Sequence, residues 1–143
     1  MLESNPQVDI LTEEFIPEYA TFWSRFAAAF IDGLVLLIPG YFLKLFLPPQ
    51  SELNFVFSTI MWWLYHAIQE SGPNQATVGK KAMGIKVINM EGERISFANA
   101  TGRHFGKYIS MLIIFIGYLM MLWDDKNQTL HDKMAGTLVV LSK

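Results

Sequence analysis

Arg25 and Asp32 are the two charges inside the longest apolar run of this sequence up to Lys44, the stretch from Thr21 to Leu47. Their numbers differ by seven, two helical turns, so a helix puts both on one stripe about 10 Å apart along its axis. Ala28 and Ala29 lie between them and leave room for a guanidinium to extend along the helix. A charge in hydrocarbon costs about 2.5 to 3.5 kcal/mol on insertion scales, so it normally pairs or lines a cavity. Two kinds of chemistry are open to this pair. Asp32 can handle a cation or a proton with Arg25 as its modulator, or the two can form a structural ion pair. Arg25 alone can also snorkel to the interface.

Other candidate chemistry is sparse. His66 sits in an apolar segment with no second metal ligand at a helical spacing, which reads as a hydrogen-bonded core histidine. Gly79-Lys80 lacks the glycine that a phosphate loop needs five residues earlier, where Asn74 stands. There is no cysteine, which excludes a disulfide framework and thiolate metal sites. No nucleophile stands at a spacing that suits a base. The expectation is a protein that is not an enzyme, with no cofactor and no metal site.

The elements around the pair read as membrane helices. Of 143 residues, 52% are hydrophobic and 17% charged, against about 25% charged in ordinary soluble domains. The net charge of −2 names no nucleic-acid partner. Residues 1–18 hold five acidic side chains and no Lys or Arg. They read as an acidic arm and lack the basic start of a signal peptide. Residues 21–47 exceed the roughly 20 needed to span a bilayer, with a kink expected at Pro39-Gly40. Residues 53–70 carry no charge until Glu70 and suffice for a second span. Trp62, Trp63 and Tyr65 within them read as packing residues.

Residues 71–97 are polar. Thr77 is the expected N-cap of a short helix ended by Gly84, and 85–97 reads as a β-hairpin around a Glu-Gly turn. In the third helical region, 98–123, Asn99, Arg103, Lys107 and Ser110 mark one polar face. The apolar half that follows is only about 13 residues long, which suits a re-entrant or interfacial piece, although the joined halves also allow a span. Thr129 caps a last helix, Gly136 ends it, and Thr137 to Leu141 reads as a strand.

Six of the eleven Lys and Arg residues lie between Lys80 and Lys107, and the turn at 48–52 has none. The positive-inside rule puts 71–107 and the N-terminus in the cytoplasm. The C-terminal strand needs a hydrogen-bonding partner, and the 85–97 hairpin is the candidate.

The blocks "YATFWSRFAAAFIDG", "ATVGKKAMGIKVINMEGERISF", "GRHFGKYIS" and "NQTLHDKMAGTLVV" occur in this order. The chain resembles the RDD family of small bacterial membrane proteins from about Tyr19 to Val140. That family is named for one arginine and two aspartates, matched here by Arg25, Asp32 and Asp132. The resemblance implies a membrane-embedded protein, with a transport role often proposed and cation/proton antiport suggested for some members. Here "MEGER" and "WDDKNQT" are more acidic than is common in the family. Asp132 also stands three residues after Thr129, the spacing of a capping box, and its neighbour His131 reads as structural. The expected geometry brings Arg25, Asp32 and Asp132 together at the cytoplasmic end of the first helix, with the arginine forked between two carboxylates.

The expected fold is therefore an all-α integral membrane protein of the bacterial inner membrane. It has two to three transmembrane helices, an amphipathic or re-entrant helix, a small cytoplasmic β-hairpin and a C-terminal strand. The domain expected to carry the family resemblance is 19–143. Its partners are the lipid bilayer and either further copies of itself, as a homo-oligomer, or another membrane protein. Two functions fit: a component of small-cation or proton transport, or a non-transporting scaffold or regulatory module in which the trio is a structural clasp.

Overall fold

A computed structural model describes residues 16–48, 52–113 and 115–142. The 1–15 part of the acidic arm and most of the 48–52 turn lie outside the described residues. The elements run α1 (Phe22–Phe46), α2 (Glu52–Ser71), α3 (Val78–Ala82), β1 (Ile85–Asn89), α4 (Phe97–Leu112), α5 (Ile116–Leu119), a 3₁₀ turn (Met120–Leu122), α6 (Leu130–Ala135) and β2 (Thr137–Leu141).

Thr21 starts α1, its hydroxyl accepting from the Ser24 N–H at 3.3 Å. The helix continues through Pro39 to Phe46. Only Ala28, Asp32 and Leu36 of its residues are buried, while Phe30, Leu37, Ile38, Phe42 and Leu45 stand exposed. So much apolar surface in water is a heavy cost, and in lipid it is none. Among the described helices α1 alone is long and apolar enough to cross a membrane. α2 is 20 residues long, but the composition of its polar C-terminal half keeps it below that mark. The amphipathic α4 and the 116–122 piece meet at 115°, a hook that reaches span length only if both limbs are counted as one.

The hairpin expected at 85–97 has one strand. β1 pairs antiparallel with β2, from Ile85 opposite Leu141 to Asn89 opposite Thr137. The second limb fails for local reasons. The Asn89 side-chain oxygen accepts from the N–H groups of Glu91 and Glu93 at 3.0 and 2.7 Å, which holds the chain in a turn. Ile95 is buried in the core, and Ser96 caps α4. Gln75 covers the other edge of β1, its C=O accepting from the Val87 N–H at 2.8 Å. The outer edge of β2 is covered by residues 18–20, where the Ala20 N–H donates to Val139 O at 2.9 Å and the Leu141 N–H to Glu18 O at 2.8 Å. The last residues of the expected acidic arm thus belong to the folded lobe, and both sheet edges are satisfied.

The apolar core lies between this sheet and the polar ends of the helices, built on Ala28, Ala67, Ile85, Val87 and Val139. α4 packs on α2 and α6, and α3 packs on α1.

Candidate functional site

Five helices each place one charge in a single buried chain of ion pairs. Arg25, in the first turn of α1, donates from one terminal nitrogen to Asp132 Oδ2 at 2.5 Å and from the other to the Asn127 carbonyl at 2.7 Å. Asp132 also accepts from Arg103 Nε on Oδ1 at 2.8 Å. Arg103 then donates from NH1 to Glu70 Oε2 at 2.8 Å. The remaining oxygen of Glu70 holds the Lys80 ammonium. Asp132, Glu70 and Arg103 are 3% exposed or less, so each is stable only while its partners are present.

Local sequence explains how Asp132 reaches this place. It is the third residue of α6 and closes a capping box with Thr129, whose N–H donates to Asp132 Oδ2 at 3.1 Å. The capping reading and the arginine reading both hold, because Oδ2 accepts from the Thr129 N–H and from Arg25 together, while Oδ1 takes Arg103. Burial opposes the charge on Asp132, but the Arg25 and Arg103 guanidiniums outweigh it and hold the carboxyl well below the usual range. Burial pulls the Lys80 ammonium below its ordinary value, with Glu70 opposing. Beside Asp132, His131 is pushed down to about 3, first by burial, with Asp132 opposing and Arg103, Lys107 and Arg25 adding to the fall.

Asp32 stands apart from this chain. The expected pair with Arg25 does not form: the structure brings Arg25 to Asp132 and gives Asp32 other partners, although Arg25 and Asp32 line one cavity. Its Oδ1 accepts from the Tyr65 hydroxyl at 2.7 Å and the Gly79 N–H at 2.8 Å, and its Oδ2 from the Thr77 hydroxyl at 2.6 Å. His66 Nε2 lies 3.9 Å from Oδ2. The carboxylate thus holds the start of α3 against α1, and both of its oxygens accept from groups other than Arg25. Gly79 is what lets α3 come so close. A Cβ built there would lie 2.0 Å from the Ala28 carbonyl oxygen.

A cavity of about 190 Å³ opens beside both groups. Phe22, Phe26, Ala29 and Met121 form apolar wall, and Arg25, Lys80, Arg103 and Lys107 bring cations to it. Among the described residues, Asp32 is the one carboxylate on its lining.

Sequence reasoning missed Glu70, Lys80, Arg103, Tyr65, Thr77 and Gly79 as members of the site. Two signals were present: Glu70 is the first charge after a long apolar run, and Arg103 lies on the polar face of an amphipathic helix. Their common destination required the tertiary arrangement.

Fold and site together define a small helical protein whose first helix is long and apolar enough to cross a membrane and carries a buried charged cluster at its polar end. The RDD family model matches residues 19–136, and the chain belongs to the RDD family. It is 31% identical to YxaI of Bacillus subtilis over 85% of this chain and 96% of that protein. It is 32% identical to YteJ of the same organism, a membrane protein by name, over 87% of this chain and 82% of YteJ. A proline-rich antigen homolog of Mycobacterium tuberculosis is 36% identical over 46% of this chain and 28% of its own length. No solved structure matches.

Proposed function

We propose that this chain is a multi-pass inner-membrane module, not an enzyme, in which the Arg/Asp charges clasp a cytoplasmic lobe onto two membrane helices. α1 and α2 cross the bilayer, and the sheet, α3 and α6 lie on the cytoplasmic side. One observation carries the reading: the buried chain Arg25–Asp132–Arg103–Glu70–Lys80 joins α1, α6, α4, α2 and α3. The exposed apolar side chains of α2, among them Leu53, Phe55 and Phe57, support its crossing the membrane. The lysines and arginines between 80 and 107 support the orientation.

Single cysteines at Glu52 and Glu91 test it in intact cells. Labelling of Glu52 from outside and of Glu91 only after permeabilisation is the expected result. Labelling of both from one side overturns the topology.

A second reading, transport of a cation or proton, is favoured by the position of Asp32 on the cavity wall. The three hydrogen-bond donors already on Asp32 weigh against it, because a cation binding there would have to share the carboxylate with Tyr65, Thr77 and Gly79. Transport would also call for a homo-oligomer or a membrane partner, since so few helices do not enclose a pathway. Ion flux from vesicles holding the purified protein, lost in Asp32→Asn while the protein stays folded, would replace the clasp reading.

A further inference from the structure

We propose that the cavity between α1, α4 and α6 binds a phosphate group, as the free anion or as the headgroup of an anionic lipid. The proposal rests on the membrane reading above, which sets the depth of the cavity, and on a charge imbalance in its wall.

Arg25, Lys80, Arg103 and Lys107 all line the cavity. The carboxylates within reach are Glu70, Asp132 and Asp32, so four cations face three anions. Glu70 and Asp132 are consumed by Arg25, Arg103 and Lys80. Asp32 takes its hydrogen bonds from the neutral donors of Tyr65, Thr77 and Gly79, and the count still leaves one cation in excess. Lys107 is left with no hydrogen bond and no carboxylate partner among the described residues. Arg25 Nε is buried and likewise has no partner. An ammonium and a guanidinium N–H without acceptors, on residues that line one cavity, are the donor set a phosphate takes up. A buried donor left unsatisfied is costly, so an acceptor in this space stabilises the site.

Size and entry agree. A water takes roughly 30 Å³ of liquid volume, so about 190 Å³ admits a phosphate-sized group and some water. Phe26 and Ala29, on the apolar side of the cavity, are exposed on the lipid-facing surface of α1. Arg25 lies in the first turn of that helix, at the level where headgroups sit. A lipid can therefore enter sideways with its phosphate inward and its chains along α1. Free phosphate can enter from the aqueous side. The donors are the same in both cases.

The probes are inorganic phosphate, titrated into the detergent-purified full chain by calorimetry, and nanodiscs of phosphatidylglycerol against phosphatidylcholine, read by retention of lipid in native mass spectrometry. Lys107→Gln removes one charge-assisted contact without unpairing a carboxylate. It is expected to weaken binding about ten- to a hundredfold, and Lys107→Arg is expected to retain it. Binding of free phosphate assigns the site to the anion. Retained phosphatidylglycerol without free-phosphate binding assigns it to lipid. If neither probe binds a folded wild-type protein, or if both bind Lys107→Gln as well as wild type, the site is wrong. Topology and the ion-pair clasp would stand untouched by that result.

Discussion

Arg103 and Asp132 meet at 2.8 Å in the interior, and Arg103 reaches from there to Glu70, also at 2.8 Å. One guanidinium thus serves two buried carboxylates. Its removal takes a partner from both carboxylates and leaves each with a single cation, Asp132 with Arg25 and Glu70 with Lys80, whereas removal of Arg25 takes a partner from Asp132 alone. Breaking a buried pair from one side costs about 3 to 5 kcal/mol. Arg103→Ala is expected at the upper end of that range, and Arg25→Ala, whose side chain is 12% exposed, below it. Denaturant unfolding of both variants in the same detergent checks the order. A smaller loss for Arg103→Ala would show that Glu70 and Asp132 are not held as described.

Asp32 predicts a different and more local effect. Its carboxylate accepts three hydrogen bonds, and two of the donors, Thr77 and the Gly79 N–H, belong to the start of α3. Asn in its place turns one acceptor into a donor aimed at donors. The expected cost is about 1 to 3 kcal/mol. Amide exchange should quicken at Gly79 while the sheet amide of Val87 keeps its protection. Unchanged exchange at Gly79 with lost ion flux would move Asp32 out of the structural role.

Much of this was readable from residue types. The start of α1 at Thr21, the capping box of Thr129 with Asp132, and the strand at 137–141 all follow from local rules, and the pairing of that strand with 85–89 follows from its need for a partner. The site was readable in part. Arg25 and Asp132 meet, but Asp32 was assigned to the wrong neighbour. Helical spacing puts Arg25 and Asp32 on one stripe, yet says nothing of what packs against that stripe. The hydroxyls of Tyr65 and Thr77 and the N–H of Gly79 arrive from separate segments. Glu70 and Arg103, 33 positions apart, carry no local signal of their contact. The false second strand at 93–97 was an error of another kind. β-Branched content was read without the competing side-chain bonds of Asn89 and the cap at Ser96.

Gly79 is expected to tolerate no side chain. A Cβ there would come within 2.0 Å of the Ala28 carbonyl and 2.9 Å of the Asp32 carboxyl carbon. Overpacking costs about 1 to 3 kcal/mol where side chains can yield, and here the obstacle is backbone. Gly79→Ala is expected to exceed that range and to prevent recovery of folded protein. Gly102→Ala, where a Cβ meets nothing within 4 Å, is the matched control and should fold normally. Equal thermal stability of the two would mean that α3 does not rest on α1.

His131 sets an acid limit on stability. Its ring lies 3% exposed, with Thr129 Oγ1 3.0 Å from Nε2 and Ser110 Oγ 3.3 Å from Nδ1. The charged and titratable groups facing it are Asp132, Arg103, Lys107, Arg25 and Tyr118. Burial, reinforced by the three cations and opposed by Asp132, lowers its pKa from an ordinary 6.5 to about 3. Between those two values the unfolded chain takes up a proton that the folded protein excludes. Stability is therefore fully present above about pH 6.5 and falls as the pH drops toward 3, by up to about 1.4 kcal/mol per pH unit for this one ring. Asp132, held well below the usual carboxylate range, adds a loss of the same sign only at lower pH, near and below the ordinary carboxylate value. The window between pH 6 and 5 thus separates the histidine from the carboxylate. Unfolding free energies measured across it in one detergent should show a slope that is shallower in His131→Gln. His131→Gln keeps a donor and an acceptor for Thr129 and Ser110 but cannot titrate. A slope identical to wild type would mean that the ring accepts its proton in the folded protein, and that Asp132 and not the cations governs it.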